Sequence, residues 1–428
     1  MTKSILPVMR HTPSLIFRAA RENKLSVCAL CGAMETRSEL DGWIVLRPKS
    51  AADFFQAVSA NAGRAHPCVA AFSFFTGQAR GVYAEVARLK RDCGDAVFCA
   101  AGGAHAGALP LETLEAGFDA VVVGEGEAAF PELLCALAGG GEWRKIRGLA
   151  FIDGGKLRLN PKPAPAVLDA YPPVSFRQEL FGAIEITRGC PNACSFCRTS
   201  GHFGTAMRHR GADVICGFAG RLARRGLGHF RAVTPDAFAY GSPDGKTVNL
   251  AALEELLSKL SAVMKPAGGK VFYGSFPSEV RPEHVTPQTI ALVKRFCDND
   301  NLVIGAQTAS PRLLEKCRRG HTVDDFMRAA ELTLAAGLKA SVDFIFGLPG
   351  ETEEDARLTI AALEALTARG ARIHAHTFMP LPGTAFAAER PAPTLRLYGE
   401  VINRLNGRGL LFGDWMRQRS GKTGPAEK

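Results

Sequence analysis

Three cysteines carry the most specific chemistry in this sequence. Cys190, Cys194 and Cys197 stand at C-x3-C-x2-C spacing inside ITRGCPNACSFCRTSGHFG, residues 186–204. Thiolates are the usual ligands of iron–sulfur clusters. Three of them leave one iron of a cubane open to a small molecule. A zinc site would ordinarily draw four ligands from paired cysteine motifs, and no second pair stands at suitable spacing in the sequence. Gly189 and Pro191 help the loop curl so that the three sulfurs converge.

The elements that must position this loop are legible around it. AIEIT, 183–187, reads as a strand, so the cysteines follow its carboxyl end, where barrel chemistry is built. Further strands are expected at HFRAVT (229–234), KVFYGS (270–275), LVIGAQT (302–308), SVDFIFG (341–347) and IHAHTF (373–378), with helical patterns between them. A full eight-unit barrel runs to roughly 250 residues; this shorter series, within 181–390, fits a partial (β/α)6 barrel. Upstream, SLIF (14–17), WIVL (43–46), CVAAFSFF (68–75), AVFCAAG (96–102) and AVVVG (120–124) alternate with amphipathic stretches such as VYAEVARLKRD (82–92). That pattern implies a parallel sheet covered on both faces. We therefore read an α/β chain: a Rossmann-like domain over 1–140, a hairpin and Pro-rich linker over 141–180, the barrel over 181–390, and a C-terminal helix and frayed polar tail over 391–428.

With Phe196 just ahead of the last cysteine, the loop resembles the radical S-adenosylmethionine (radical SAM) superfamily signature C-x3-C-x-Φ-C, Φ being aromatic. The resemblance extends over about 183–385. It implies a [4Fe–4S] cluster on Cys190, Cys194 and Cys197, whose open iron chelates the amino and carboxylate groups of S-adenosylmethionine (AdoMet) and whose electron releases a 5′-deoxyadenosyl radical. VIGAQTASPRLLEKCRRGHT (303–322) resembles the fourth-strand region, which implies that Gln307, Thr308 and Ser310 lie near AdoMet. FIFGLPGETEED (344–355) resembles the fifth-strand turn, where Gly347 and Gly350 would let the backbone approach the adenine. HTFMPLPGT (376–384) resembles the sixth strand and its loop. The Gly-Gly-Glu motif that many relatives carry after the second strand is replaced by VTPDAFAYGS, with Thr234 or Asp236 as the substitute grip.

FSFFTGQARG, AAGGAHAGALP and DAVVVGEGEAAFPELL, between 72 and 134, resemble the cobalamin-binding (B12-binding) domain found ahead of many radical SAM cores. The resemblance implies cobalamin contacts from Ser73 and Thr76, from Gly102, Gly103 and His105, and from Gly124, Glu125 and Gly126, all at carboxyl ends of parallel strands, the ligand-binding edge of such sheets. The D-x-H-x-x-G motif that supplies an axial histidine elsewhere is missing; RAARENKLS stands in its place. Cys28 and Cys31 read as buried residues on a helix face, and Cys317 as a helix-surface residue. His374 and His376 alternate on a strand and share one face, either the lumen or a packed surface.

Length and composition bound the rest. The chain has 428 residues, enough for two or three domains. There is no apolar run of membrane-spanning length, and MTKSILPVMRHTPS lacks an apolar leader core, so a cytoplasmic location is expected. Twelve scattered cysteines do not make a secreted disulfide scaffold. The net charge of +10 is spread along the chain, with Arg208–Arg210 and Arg221–Arg225 the densest spots; that serves solubility or small anions rather than nucleic acid. The expected function is cobalamin-dependent radical methylation of an unactivated carbon in a small-molecule or peptide substrate, fed by an electron donor such as flavodoxin or ferredoxin. The rivals are a cobalamin-independent rearrangement, cyclisation or oxidation, methylthio transfer to tRNA, and a non-catalytic iron–sulfur sensor or scaffold. No residue is assigned a catalytic role beyond cofactor binding.

Overall fold

The computed structural model describes residues 12–64 and 66–419. The first eleven residues, read above for a leader, and the polar end GKTGPAEK, read as frayed, lie outside the described residues. The chain divides into two compact units, Met1–Gly182 and Ala183–Lys428.

The first unit runs β1 (Ser14–Phe17), α1 (Lys24–Met34), β2 (Ile44–Leu46), α2 (Ala51–Asn61), β3 (Cys68–Ser73), α3 (Ala79–Cys93), β4 (Phe98–Gly102), α4 (Gly103–Ala106), α5 (Pro110–Glu115), β5 (Ala120–Val122), α6 (Gly126–Gly139), β6 (Leu149–Asp153) and β7 (Lys156–Leu159). One sheet holds the strands in the order β2-β1-β3-β4-β5-β6-β7. The first five are parallel, as their near-continuous apolar runs require when both faces are covered. Successive side chains on a strand point to opposite faces. Ile16, Ala70 and Phe72 therefore pack with Phe54 and Val58 of α2 and Val86 and Leu89 of α3. Leu15, Phe17, Val69 and Ala71 pack on the other side with Val27 and Cys31 of α1 and Phe130 and Leu133 of α6. Each fully buried Leu, Val or Phe of these layers contributes about 1.5–3 kcal/mol relative to exposure.

The hairpin expected over 141–180 exists, but it is no linker between domains. β6 pairs antiparallel with β5 through Val121 and Ala150, and β7 closes the edge of the same sheet. The hairpin was legible in the sequence, but which strand it joins was not.

The second unit continues with β8 (Ile184–Glu185), β9 (Thr187–Arg188), α7 (Thr199–Phe203), β10 (Arg208–His209), α8 (Ala212–Ala223), β11 (His229–Val233), α9 (Leu250–Met264), β12 (Lys270–Phe272), α10 (Pro287–Phe296), β13 (Asn301–Gln307), α11 (Pro311–Lys316), α12 (Val323–Ala335), β14 (Lys339–Phe346), α13 (Glu353–Ala368), β15 (Arg372–Thr377), α14 (Gly399–Gly407), β16 (Leu411–Phe412) and α15 (Trp415–Arg419). β8, β11 and β12 form one parallel set, and β13 to β16 another. A bridge between Val280 and Ile304 joins the segment after β12 to β13. The result is the six-unit partial barrel, with a short seventh strand, β16, that the sequence reading placed in a helical tail. Threonine caps fix three of the outer helices: Thr286, Thr322 and Thr352 each accept from the backbone N–H three residues on.

Candidate active site

The strand that leads to the cysteines is split. β8 stays with β11, while β9 turns away to pair antiparallel with β10. Gly189 follows at φ 86°, and a Cβ there would sit 2.1 Å from the carbonyl oxygen of Ala206. Only glycine fits this corner. The loop beyond it is pinned from several sides. The Cys190 N–H donates to Gly204 at 3.1 Å and the Cys197 N–H to Cys194 at 2.9 Å. Ser195 donates its N–H to the carbonyl of Cys317 at 3.0 Å and its hydroxyl to that of Lys316 at 2.9 Å. Cys317 is thus buried against the cysteine loop rather than on a helix surface, because α11 ends with this residue turned inward.

Cys190, Cys194 and Cys197 open onto one cavity of about 460 Å3, together with Phe196, Thr234, Glu279, Arg281, Gln307, Arg319, Asp343, His374 and His376. Burial pushes the Cys197 thiol up, Thr199 opposes this through its hydrogen bonds, and the neighbouring Cys194 and Cys190 add to the rise. A bound cation is what offsets such crowding of sulfurs. Arg319 is buried; its Nη1 donates to Cys194 Sγ at 3.5 Å and its Nη2 to the Gly305 carbonyl at 2.6 Å, while Nε has no hydrogen-bond partner among the described residues. Burial, reinforced by Asp343, pushes the Glu279 carboxyl up to about 7 against the pull of Arg319. Burial likewise lifts Asp343 to about 8, although Glu279 and Arg319 oppose it. Burial lowers His374, and lowers His376 to about 4 with help from His374.

The expected AdoMet residues divide. Phe196, Thr234 and Gln307 line the cavity, Gln307 with a left-handed φ of 75°. Asp236 does not; its carboxylate meets His284 Nδ1 at 2.6 Å and accepts from the Phe238 and Arg281 N–H groups. Thr308 faces α13, with its Oγ1 3.2 Å from Thr359 Oγ1. Ser310 caps α11 and donates to Asp355. Gly347 lies against Leu395 and Gly350 against Lys316. Arg319, Glu279 and Asp343 were missed. The visible signal for Arg319 was the adjacent cation pair in KCRRGHT, but nothing local tied it to a cysteine 125 residues earlier.

In the first unit, Ser73 and Gly102 are register partners at the ends of β3 and β4. Gly103 has φ 89°, and a Cβ there would meet Ser73 Oγ at 2.8 Å and the Phe74 nitrogen at 3.2 Å. These residues stand at the carboxyl ends of parallel strands, the edge at which such sheets bind ligands. His105 does not contribute to it as a free ligand: it is buried, with Nε2 2.9 Å from Tyr83 OH and Nδ1 3.2 Å from Thr76 Oγ1. Glu125 accepts from the Ala166 N–H, and Gly126 packs on Leu30. Gly124 follows β5 at the same edge. Cys28 and Cys31 are buried on α1, as expected, and burial pushes the Cys31 thiol up to about 12.

Comparison with known proteins now gives this architecture its family. Residues 184–363 match the radical SAM superfamily and residues 41–134 match the B12 binding domain. The chain carries a radical SAM domain, with a B12 binding domain ahead of it. It is 26% identical over 363 residues to an uncharacterized protein of Methanopyrus kandleri, covering 71% of this chain and 66% of that one. It is 29% identical over 319 residues to an uncharacterized methyltransferase of Pyrococcus horikoshii, covering 70% and 64%. The matches thus span just under two thirds of these curated relatives. In fold it is similar to the radical S-adenosylmethionine methyltransferase TsrM from Kitasatospora setae, solved with cobalamin and a [4Fe–4S] cluster bound: TM-score 0.69, 17% identity, 89% of this chain and 74% of that one. Among the described residues no helix is long and apolar enough to cross a membrane.

Proposed function

We propose that this protein is a cobalamin-dependent radical SAM methyltransferase acting on an unactivated carbon. The observation that carries the reading is the opening of three cysteine side chains and the buried guanidinium of Arg319 onto one cavity. Cys190, Cys194 and Cys197 would hold the [4Fe–4S] cluster. When bound, the cluster supplies the electron that splits AdoMet to a 5′-deoxyadenosyl radical, and cobalamin supplies the methyl group.

The chain's own residues bind, orient and exclude water. The guanidinium of Arg319, with its unpartnered Nε, would take the methionine carboxylate of AdoMet in a charge-assisted bond. Gln307 and Thr234 offer neutral polar groups on the same wall. Phe196 packs against Leu313, Cys317, Leu348, Phe378 and Phe386, an apolar wall that shields the cysteine loop from solvent. In the first unit the carboxyl ends of β3, β4 and β5, at Ser73, Gly102, Gly103 and Gly124, would receive cobalamin.

The P. horikoshii relative, named an uncharacterized methyltransferase, and the fold of TsrM support this reading. With it we read a small-molecule or peptide substrate, a cytoplasmic setting and an electron donor such as flavodoxin or ferredoxin. The test is protein purified and reconstituted without oxygen, incubated with AdoMet and a strong reductant. The reading requires 5′-deoxyadenosine and one cobalt per chain; iron-loaded protein that yields no deoxyadenosine contradicts it, and deoxyadenosine without cobalt binding removes the cobalamin half.

A further inference from the structure

The cavity holds a second set of ligating atoms that AdoMet cleavage does not use. Parallel pairing of β14 with β15 sets Asp343 beside His374 and Ile345 beside His376. Residues two apart on a strand share a face, so both imidazoles turn toward the cavity, and Asp343 joins them there. One ligand atom from each of the three lies within 4.8 Å of the others. His374 Nδ1 stands 3.0 Å from Asp343 Oδ1. That contact is a hydrogen bond; two donors held tetrahedrally by one ion, each at about 2.1 Å, stand about 3.4 Å apart, so the pair needs to open by only a few tenths of an ångström to hold one.

The neighbours hold these side chains in place. The His374 ring stacks on Phe412 at 4.9 Å and meets Phe276 and His376 edge-on at 4.7 and 4.3 Å. Phe412 reaches it because β16 pairs with β15, setting Phe412 opposite His374. Gln418 touches His376 Nδ1 only at 3.4 Å. Glu279 lies beside Asp343, so two acids share one cavity wall with a single guanidinium, Arg319, which also faces Cys194. Two carboxyl groups and two imidazoles converging on one cavity wall make a donor set that a divalent cation would take up.

We propose that Asp343, His374 and His376 form a divalent transition-metal site in the barrel, separate from the cysteine-bound cluster. Glu279 would serve as the positioning residue behind Asp343. A two-nitrogen, one-oxygen donor set selects borderline ions such as Zn2+, Fe2+ or Co2+ over Mg2+ and Ca2+. Three protein ligands leave coordination positions facing the cavity, where an oxygen or nitrogen of a bound molecule would complete the shell.

The test reads metal stoichiometry, so it stands apart from any AdoMet activity. Cluster-loaded full-length protein is dialysed against Zn2+ without oxygen, and zinc per chain is measured. The full-length variant C190A/C194A/C197A is dialysed against Co2+ and its visible absorption recorded. The proposal expects one zinc per chain in the first, and one Co2+ with ligand-field bands in the second. Adding H374A/H376A should weaken Co2+ binding at least tenfold. If that variant does not fold by circular dichroism, the milder H376Q and D343N are used, with the same expected loss. Absence of stoichiometric zinc and cobalt, or binding that survives these substitutions unchanged, overturns the site; the polar wall would then be a surface for a substrate's own hydrogen-bonding groups.

Discussion

Arg319 and Cys194, 125 residues apart in the chain, meet through an N–H···S contact of 3.5 Å inside the barrel. The contact sets a fixed positive charge beside the sulfur loop. Arg319 reaches it from the turn after α11, and its neighbour Arg318 is exposed.

Arg319→Met should therefore weaken AdoMet binding. Removing a charge-assisted bond to a buried carboxylate costs about 1.5–3 kcal/mol, which is about a tenfold to hundredfold rise in Kd. Arg318→Met should leave Kd within about twofold. Equilibrium dialysis of labelled AdoMet against the cluster-loaded proteins measures both. Equal affinity for the two variants would show that Arg319 serves the loop rather than the ligand.

Gly103→Ala tests the cobalamin edge. The added methyl would sit 2.8 Å from Ser73 Oγ on a backbone at φ 89°. Substituting Ala where φ is positive destabilises by more than about 1 kcal/mol. The variant should unfold at lower temperature and retain less cobalt per chain after reconstitution. Unchanged cobalt loading would mean that this corner is structural only.

His321 predicts an acid limb of stability. It is buried, with Nε2 3.2 Å from the Ala306 carbonyl. Burial first, then the charges of Arg319 and Arg281, hold it down from its ordinary 6.5 to about 3. The unfolded chain therefore takes up this proton before the folded one does. The stabilisation is present above pH 6.5 and is lost as pH falls toward 3. The slope is at most about 1.4 kcal/mol per pH unit for one proton. His321→Gln should flatten that part of the profile in urea melts between pH 7 and 5. An unaltered slope would assign the acid sensitivity to other groups.

What the sequence disclosed, it disclosed where the chemistry is local. C-x3-C-x2-C spacing needs no fold to be noticed, and the short runs at 68–75 and 341–347, rich in Val and Phe, read as strands by their length and composition. Apart from the short strand β16, read as part of a helical tail, the misses are matters of partner and direction. Thr308 and Ser310 sit in the expected segment, yet Thr308 turns to Thr359 and Ser310 to Asp355. His105 follows the expected strand, yet Tyr83 and Thr76 occupy its ring nitrogens. The hairpin at 149–159 was legible, but its docking on β5 depends on a register that no local pattern encodes. Arg319, Glu279 and Asp343 become a group only when β13, β14 and the segment after β12 are brought together.

The most direct measurement concerns the three sulfurs. Wild-type protein and C190A/C194A/C197A are reconstituted with iron and sulfide without oxygen, then given AdoMet and dithionite. The wild type should bind about four irons per chain and release 5′-deoxyadenosine, and the variant should do neither while remaining folded. Iron loading and deoxyadenosine formation that persist in the variant would contradict the account.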